Sequence, residues 1–182
     1  YLYHVFGDKF ESQEIPFLEK IEKNKLDMML GMIKKGVNCP QTTSMGRFFD
    51  GIAAILGTRD KVAYEGQAPM ELEMKARWPM SESYEYGWIA KENHTIIVDP
   101  IIEGIVKDIR KGIPVAEISG KFHLTIIRLF TRICQLLRGE HLINKVALSG
   151  GCFQNSIVLS GLTRELEKLG LTVLSQSRVP SN

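Results

Sequence analysis

The groups best placed for chemistry lie near the C-terminal end of the chain, at Ser149-Gly150-Gly151. This triplet interrupts the apolar run Lys145-Val146-Ala147-Leu148 and precedes a helical pattern starting near Asn155. A strand that ends in two glycines and feeds a helix offers bare backbone N–H groups. The helix N-terminus adds the positive end of its dipole, so phosphate is the ligand such a turn suits. Gln154 and Asn155 stand at that terminus, within reach of a base or ribose. A tight βα turn whose glycines serve only backbone geometry fits the same residues, and on the turn alone it is the weightier reading. No Gly-Lys-Ser/Thr follows, so the turn is not a P-loop, and the third glycine of a dinucleotide fingerprint is missing.

A second polar group sits on an apolar helix. Met45, Phe48, Phe49, Ile52 and Leu56 form one stripe, which puts Arg47, Asp50 and Ala54 on the opposite side. An Arg/Asp pair at i, i+3 is ordinarily a solvated ion pair. It is also what a helix face aimed at a ligand would carry, and the pattern alone favours the ion pair. Other centres are weaker. Cys152 lies in the glycine turn with no His or Asp nearby in sequence, so a structural role outweighs a nucleophilic one. His123 falls near an apolar helix face, where a satisfied core histidine is the commoner outcome. His4, His94, His123 and His141 never pair at metal-binding spacing, and no Gly-x-Ser-x-Gly elbow occurs, so no metal site and no assigned catalytic residue emerge.

The elements that must position these groups are mostly helical. Phe17, Leu18 and Ile21 share a face, and Leu26, Met29, Leu30 and Ile33 follow the helical period, with Asn24 as a joint between two short helices. Met28, Met29 and Met32 read as adaptable core packing. Thr42-Thr43-Ser44 offers N-caps for the Met45–Leu56 helix, and Gly57 ends it. Pro69 suits a first helical turn, with Glu71 and Glu73 placed to favour the helix dipole. Tyr84 to Ile89 and Thr95 to Val98 predict a β-hairpin around Lys91-Glu92-Asn93-His94. Asp99-Pro100 opens a helix ending near Gly112, and the widest apolar face predicts a central helix from Val115 to Arg138. Lys145–Leu148, a helix from Asn155 to Leu169, and Leu171–Leu174 form a βαβ unit, whose strands run parallel. Its remaining sheet strands come from the hairpin or from chain outside this sequence. Residues 1–140 thus form a largely helical part, and residues 141–182 a βαβ part.

Composition sets the class. The 182 residues are 44% hydrophobic and 24% charged with a formal net charge of +2, which fits one soluble globular domain or the larger part of one. So small a surplus gives no reason to expect nucleic-acid binding. No apolar run is long enough to span a bilayer, so no membrane partner is expected. Three widely spaced cysteines form no disulfide framework and point to the cytoplasm. The start at Tyr1 without Met and the stop at Asn182 read as the ends of a segment cut from a longer chain.

Several separate stretches combine into a stronger signal: Ser44-Met45-Gly46-Arg47-Phe48-Phe49-Asp50 with Leu56-Gly57; Tyr64-Glu65-Gly66-Gln67-Ala68-Pro69-Met70-Glu71-Leu72-Glu73; Phe122-His123; Leu148-Ser149-Gly150-Gly151-Cys152-Phe153-Gln154-Asn155; and Val179-Pro180-Ser181-Asn182. In this order and spacing they resemble the C-terminal region of the HypF carbamoyltransferases of [NiFe]-hydrogenase maturation. The resemblance covers nearly the whole chain. It implies a fold similar to the threonylcarbamoyl-transferase TsaD: α/β, predominantly helical, part of an actin/hexokinase-like (ASKHA) nucleotide-binding fold ending in the βαβ unit.

The resemblance also implies a chemistry. Such enzymes use carbamoyl phosphate and ATP to form a carbamoyl-adenylate, with Mg accompanying the nucleotide. They pass the carbamoyl group to the C-terminal cysteine of an acceptor protein, HypE, where dehydration leads to the cyanide ligand of the hydrogenase iron. The nucleotide-holding positions that match are Asp50, Gly66, Gly150, Gly151 and Asn155, with Arg47 and Glu71 as weaker candidates. A carboxylate suits ribose hydroxyls because it accepts two hydrogen bonds. The family's His-His-x-x-His and Asp-Gly-Gly metal ligands have no counterpart here, so the divalent metal's ligands fall outside this chain and carbamoyl transfer by this region alone is not expected. An O-carbamoyltransferase of natural-product biosynthesis, or a non-catalytic interaction module on the same fold, are the competing readings.

Overall fold

The computed structural model describes residues 1–89 and 94–176; residues 91–93 of the expected hairpin turn and the Val179–Asn182 stretch lie outside them. The helices are α1 (Leu2–Phe6), α2 (Pro16–Glu19), α3 (Lys23–Lys35), α4 (Met45–Ile55), α5 (Gln67–Lys75), α6 (Asp99–Arg110), α7 (Val115–His141) and α8 (Ser156–Lys168). The strands are β1 (Gly87–Ile89), β2 (Thr95–Ile97), β3 (Lys145–Leu148) and β4 (Thr172–Ser175). Short 3-10 turns cover Gly7–Gln13 and Gly151–Gln154. No helix among the described residues is long and apolar enough to cross a membrane.

The core forms where the apolar stripes meet. Phe48 and Phe49 of α4 pack edge-to-face on Phe122 of α7, with ring centroids 5.5 and 4.8 Å apart. This geometry suits the quadrupoles of aromatic rings. Leu72 of α5, Ile101, Ile102 and Ile105 of α6, and Ile118 and Ile126 of α7 complete a fully buried cluster. A smaller cluster of Leu148, Leu162, Leu166 and Leu171 lies between α8 and the β3–β4 pair. Phe130 and Phe153 touch both clusters and join them. The join is close: a Cβ on Gly161 of α8 would collide with Ile127 of α7.

The βαβ unit forms as the pattern predicts. β3 and β4 pair in parallel, Lys145 opposite Thr172 through Leu148 opposite Ser175. The hairpin does not extend them, for β1 and β2 make a separate antiparallel pair with Gly87 opposite Ile97. It is also shorter than Tyr84–Ile89 would give, because Tyr84 is drawn into the core. Its hydroxyl donates to Asp108 Oδ2 at 2.9 Å, and its backbone N–H donates to Thr125 Oγ1 at 2.8 Å.

Other expectations are corrected near the N-terminus. The break between the first two long-period segments falls at residues 20–22, not at Asn24, which sits inside α3. The methionines of α3 are not core: Met28 is 61% exposed and Met29 49%. Leu26 is the buried residue of that helix and Leu30 packs partly against the core, while Ile33 stays 42% exposed, so the apolar stripe is covered only in part.

Candidate functional site

α4 starts where it does because Ser44 caps it, its side chain accepting from the Arg47 N–H at 3.3 Å. With Phe48, Phe49 and Ile52 buried, the opposite face of α4 turns outward. Arg47 Nη1 lies 3.3 Å from Asp50 Oδ2 there, and the two side chains are 70% and 35% exposed. The Gly150–Gln154 turn packs against this helix. Gly46 lies beside Cys152 Sγ, and the Asp50 carboxylate is near enough to act on that thiol. Burial first, and the negative charge of Asp50 second, push the Cys152 thiol above its ordinary range. A raised thiol is a poor nucleophile at neutral pH. The tyrosine ring of Tyr1 closes the other flank, lying against Gly51 and edge-on to Phe48.

The turn itself is exposed from Ser149 to Gly151. Gly150 holds φ 105 and ψ 161, a conformation that only glycine adopts without strain. Phe153 N–H donates to Gly150 O at 3.0 Å and Asn155 N–H to Cys152 O at 3.2 Å, which makes the turn a compact unit. The structure therefore packs α4, which carries Arg47 and Asp50, against the turn at Cys152, although about a hundred residues separate them in sequence.

Asn155 is placed differently. It is 8% exposed and both ends of its amide are used inside the fold. Its Oδ1 accepts from Val158 N–H at 2.9 Å, capping α8, and its Nδ2 lies 2.9 Å from His123 Nε2. His123 Nδ1 is 2.7 Å from the Ser119 carbonyl oxygen, an atom that can only accept. The proton accordingly sits on Nδ1, and Nε2 accepts from Asn155, an assignment that follows from the network. Ser119 Oγ in turn donates to the Leu72 carbonyl at 2.7 Å, tying α7 to α5. Burial pushes the His123 pKa from 6.5 down to about 4, against the raising effect of the Ser119 hydrogen bond. It is the satisfied core histidine that its apolar setting suggested.

The two glutamates of α5 serve other ends than the helix dipole. Glu71 receives Arg59 Nε at 3.1 and 3.0 Å on its two oxygens and Gln67 Nε2 at 3.0 Å. The Arg59 guanidinium holds the Glu71 carboxyl below its usual range, and Gln67 adds to this. Gln67 Oε1 also accepts from Ala63 N–H at 2.7 Å, so Glu71 anchors the loop that ends at Gly66. Gly66, at φ 83, is the left-handed residue that opens α5. Glu73 lies on the other side. Its Oε1 accepts from the N–H of Ser156 at 2.7 Å and of Ile157 at 3.3 Å. Together with Asn155 it occupies the first-turn N–H groups of α8, so that helix terminus is already filled by a carboxylate of the chain itself.

Sequence reading missed Glu73 and the Asn155–His123 bond. The stretches that hold them were visible, but nothing in residue spacing says that Glu73 reaches a helix starting at Ser156. Among the described residues no group of three His, Cys, Asp or Glu side chains could hold a metal ion.

A mostly helical α/β chain ending in a parallel βαβ unit has the make-up of a Kae1-like subdomain. The family model described as "Carbamoyltransferase, Kae1-like Domain, second subdomain" matches residues 1–182. The chain belongs to the HypF carbamoyltransferase family, as part of its C-terminal region. It is 32% identical over 195 residues to the carbamoyltransferase HypF of Synechocystis, covering 100% of this chain and 25% of that protein. To HypF2 of Cupriavidus necator it is 29% identical, over 85% of this chain and 22% of the relative. A crystal structure of full-length HypF in the phosphate- and nucleotide-bound form matches with a TM-score of 0.91 and 39% identity, over 98% of this chain and 23% of that one. The likeness to the crystal structure of T.kodakarensis HypF is lower, with a TM-score of 0.79 and 26% identity, over 99% of this chain and 24% of that one. The chain thus spans about a quarter of the length of the relatives it matches.

Proposed function

We propose that this chain supplies one wall of a nucleotide site in a carbamoyltransferase. The enzyme uses carbamoyl phosphate and ATP to form a carbamoyl-adenylate, with Mg neutralising the phosphates, and passes the carbamoyl group to the C-terminal cysteine of a HypE-like acceptor. The observation that carries this reading is the packing of α4, which bears Asp50, against the glycine turn at Cys152. Asp50 accepts the ribose hydroxyls. The turn receives phosphate on exposed backbone, where no side chain stands between ligand and main chain. Arg47, already beside Asp50, holds its carboxylate in place or reaches a phosphate oxygen. Gly66 and Glu71 shape the loop at the start of α5, and Asn155 acts from beneath the turn through its fixed position.

The likeness to a HypF crystallised with phosphate and nucleotide supports the ligand class. In the cytoplasmic setting that the free thiols suggest, the metal is held by residues outside this chain, and this region alone transfers no carbamoyl group. Isothermal titration of the chain with ATP tests the site: binding that Asp50→Ala weakens about tenfold, the worth of a lost charged hydrogen bond, supports it. Binding unchanged by that substitution removes Asp50 from the site. For the reaction, full-length protein is incubated with carbamoyl phosphate, ATP and a HypE C-terminal peptide. A peptide without the added mass of a carbamoyl group refutes the acceptor.

A further inference from the structure

The start of α8 carries a feature that the nucleotide reading does not use. Glu73, from α5, reaches across to it and accepts from the N–H of Ser156 and of Ile157. An unoccupied helix N-terminus attracts anions, and one directly behind a phosphate-binding turn would compete with that turn. Here the anion is built in. The same contact also fixes the turn. Ser156 follows Asn155, whose own N–H closes back on Cys152 O, and Phe153 N–H closes on Gly150 O, so the segment from Gly150 to Ser156 is held as one piece. One end of that piece continues β3, and the other is held by Glu73.

We infer that Glu73 is a positioning residue for the phosphate-binding turn: by occupying the N-terminus of α8 it locks Gly150–Asn155 in place and leaves the glycine backbone N–H groups to donate to phosphate there. This rests on the nucleotide reading and goes beyond it, since Glu73 touches no ligand. Glu73 is half-buried and Ser156 exposed, so removing the carboxylate leaves N–H groups that water can satisfy and the fold persists.

The test compares ATP with adenosine by isothermal titration of the wild-type chain, Glu73→Ala and Glu73→Gln, with circular dichroism melts to show that all three are folded. In Glu73→Ala the preference for ATP over adenosine falls about tenfold, the equivalent of one lost hydrogen bond, while adenosine binds as before. Glu73→Gln keeps an oxygen that accepts from both N–H groups, and it restores the preference. Equal weakening of ATP and adenosine shows a merely structural role and overturns the inference. So does an unchanged or raised preference for ATP in Glu73→Ala, or a Gln variant that fails to rescue it. Absence of nucleotide binding by the wild-type chain is a separate result, and it removes the nucleotide reading and this inference together.

Discussion

The outer face of α4 and the turn that leads into α8 are packed together but built in opposite ways. On α4, Arg47 and Asp50 pair in contact with water. Under the turn, Asn155 and His123 are almost wholly buried and satisfy each other. An exposed pair is worth little to the fold, because water can replace either partner. A buried pair is worth more, since a lost partner leaves a polar group with nothing to bond. The difference separates two roles within one candidate site: groups on α4 can exchange partners with water, and groups under α8 hold the shape.

The largest effect that would break this contrast is in the pH dependence of stability. The folded pKa of His123 is about 4 against 6.5 in the unfolded chain. Its contribution is therefore fully present above pH 6.5. It is lost as pH falls, because the unfolded chain takes up a proton that the folded one refuses, and the loss levels off below pH 4. The difference corresponds to about 3 kcal/mol, and urea unfolding at pH 7, 5.5 and 4 measures it. A His123→Asn variant lacks this component, and a variant with the same pH dependence as the wild type would place the loss in other groups.

Next in size is Asn155→Ala, which removes the cap on α8 and the donor to His123. It lowers stability by about 2 kcal/mol, read as a shift in the urea midpoint. If Asn155→Ala were neutral, the buried network would not be holding α8. The smallest stability effect is expected for Asp50→Asn, within about 0.5 kcal/mol, although the same change weakens ATP binding. Should Asp50→Asn destabilise the chain as much as Asn155→Ala does, the division of roles between the two regions would fail.

Local patterns made much of this architecture legible. The α4 stripe, its Ser44 cap, the length of α7 and the parallel β3–β4 pair all follow from periodicity and capping chemistry, which act over a few residues. The hairpin was legible in kind but not in extent, because Tyr84 is drawn to Asp108 and Thr125, partners on other helices. The α3 methionines were misread, since an apolar period says which face is apolar and not whether anything covers it. In the candidate site, Arg47, Asp50 and the glycines were visible as types in a pattern. Glu73 was visible only as one more acidic residue on a helix.

The sequence by itself determined which residues could form helices, where those helices stop, and that a glycine turn joins β3 to α8, since backbone sterics and side-chain period are local properties. Only the tertiary structure decided that Asp50 comes near Cys152 of that turn, that Asn155 is used up by His123 and Val158, and that Glu73 fills the end of α8. Those facts depend on how α4, α5 and α7 pack around Phe122. Packing brings together groups far apart in the chain, and burial then decides whether a polar side chain must bond within the protein or stays free for something else.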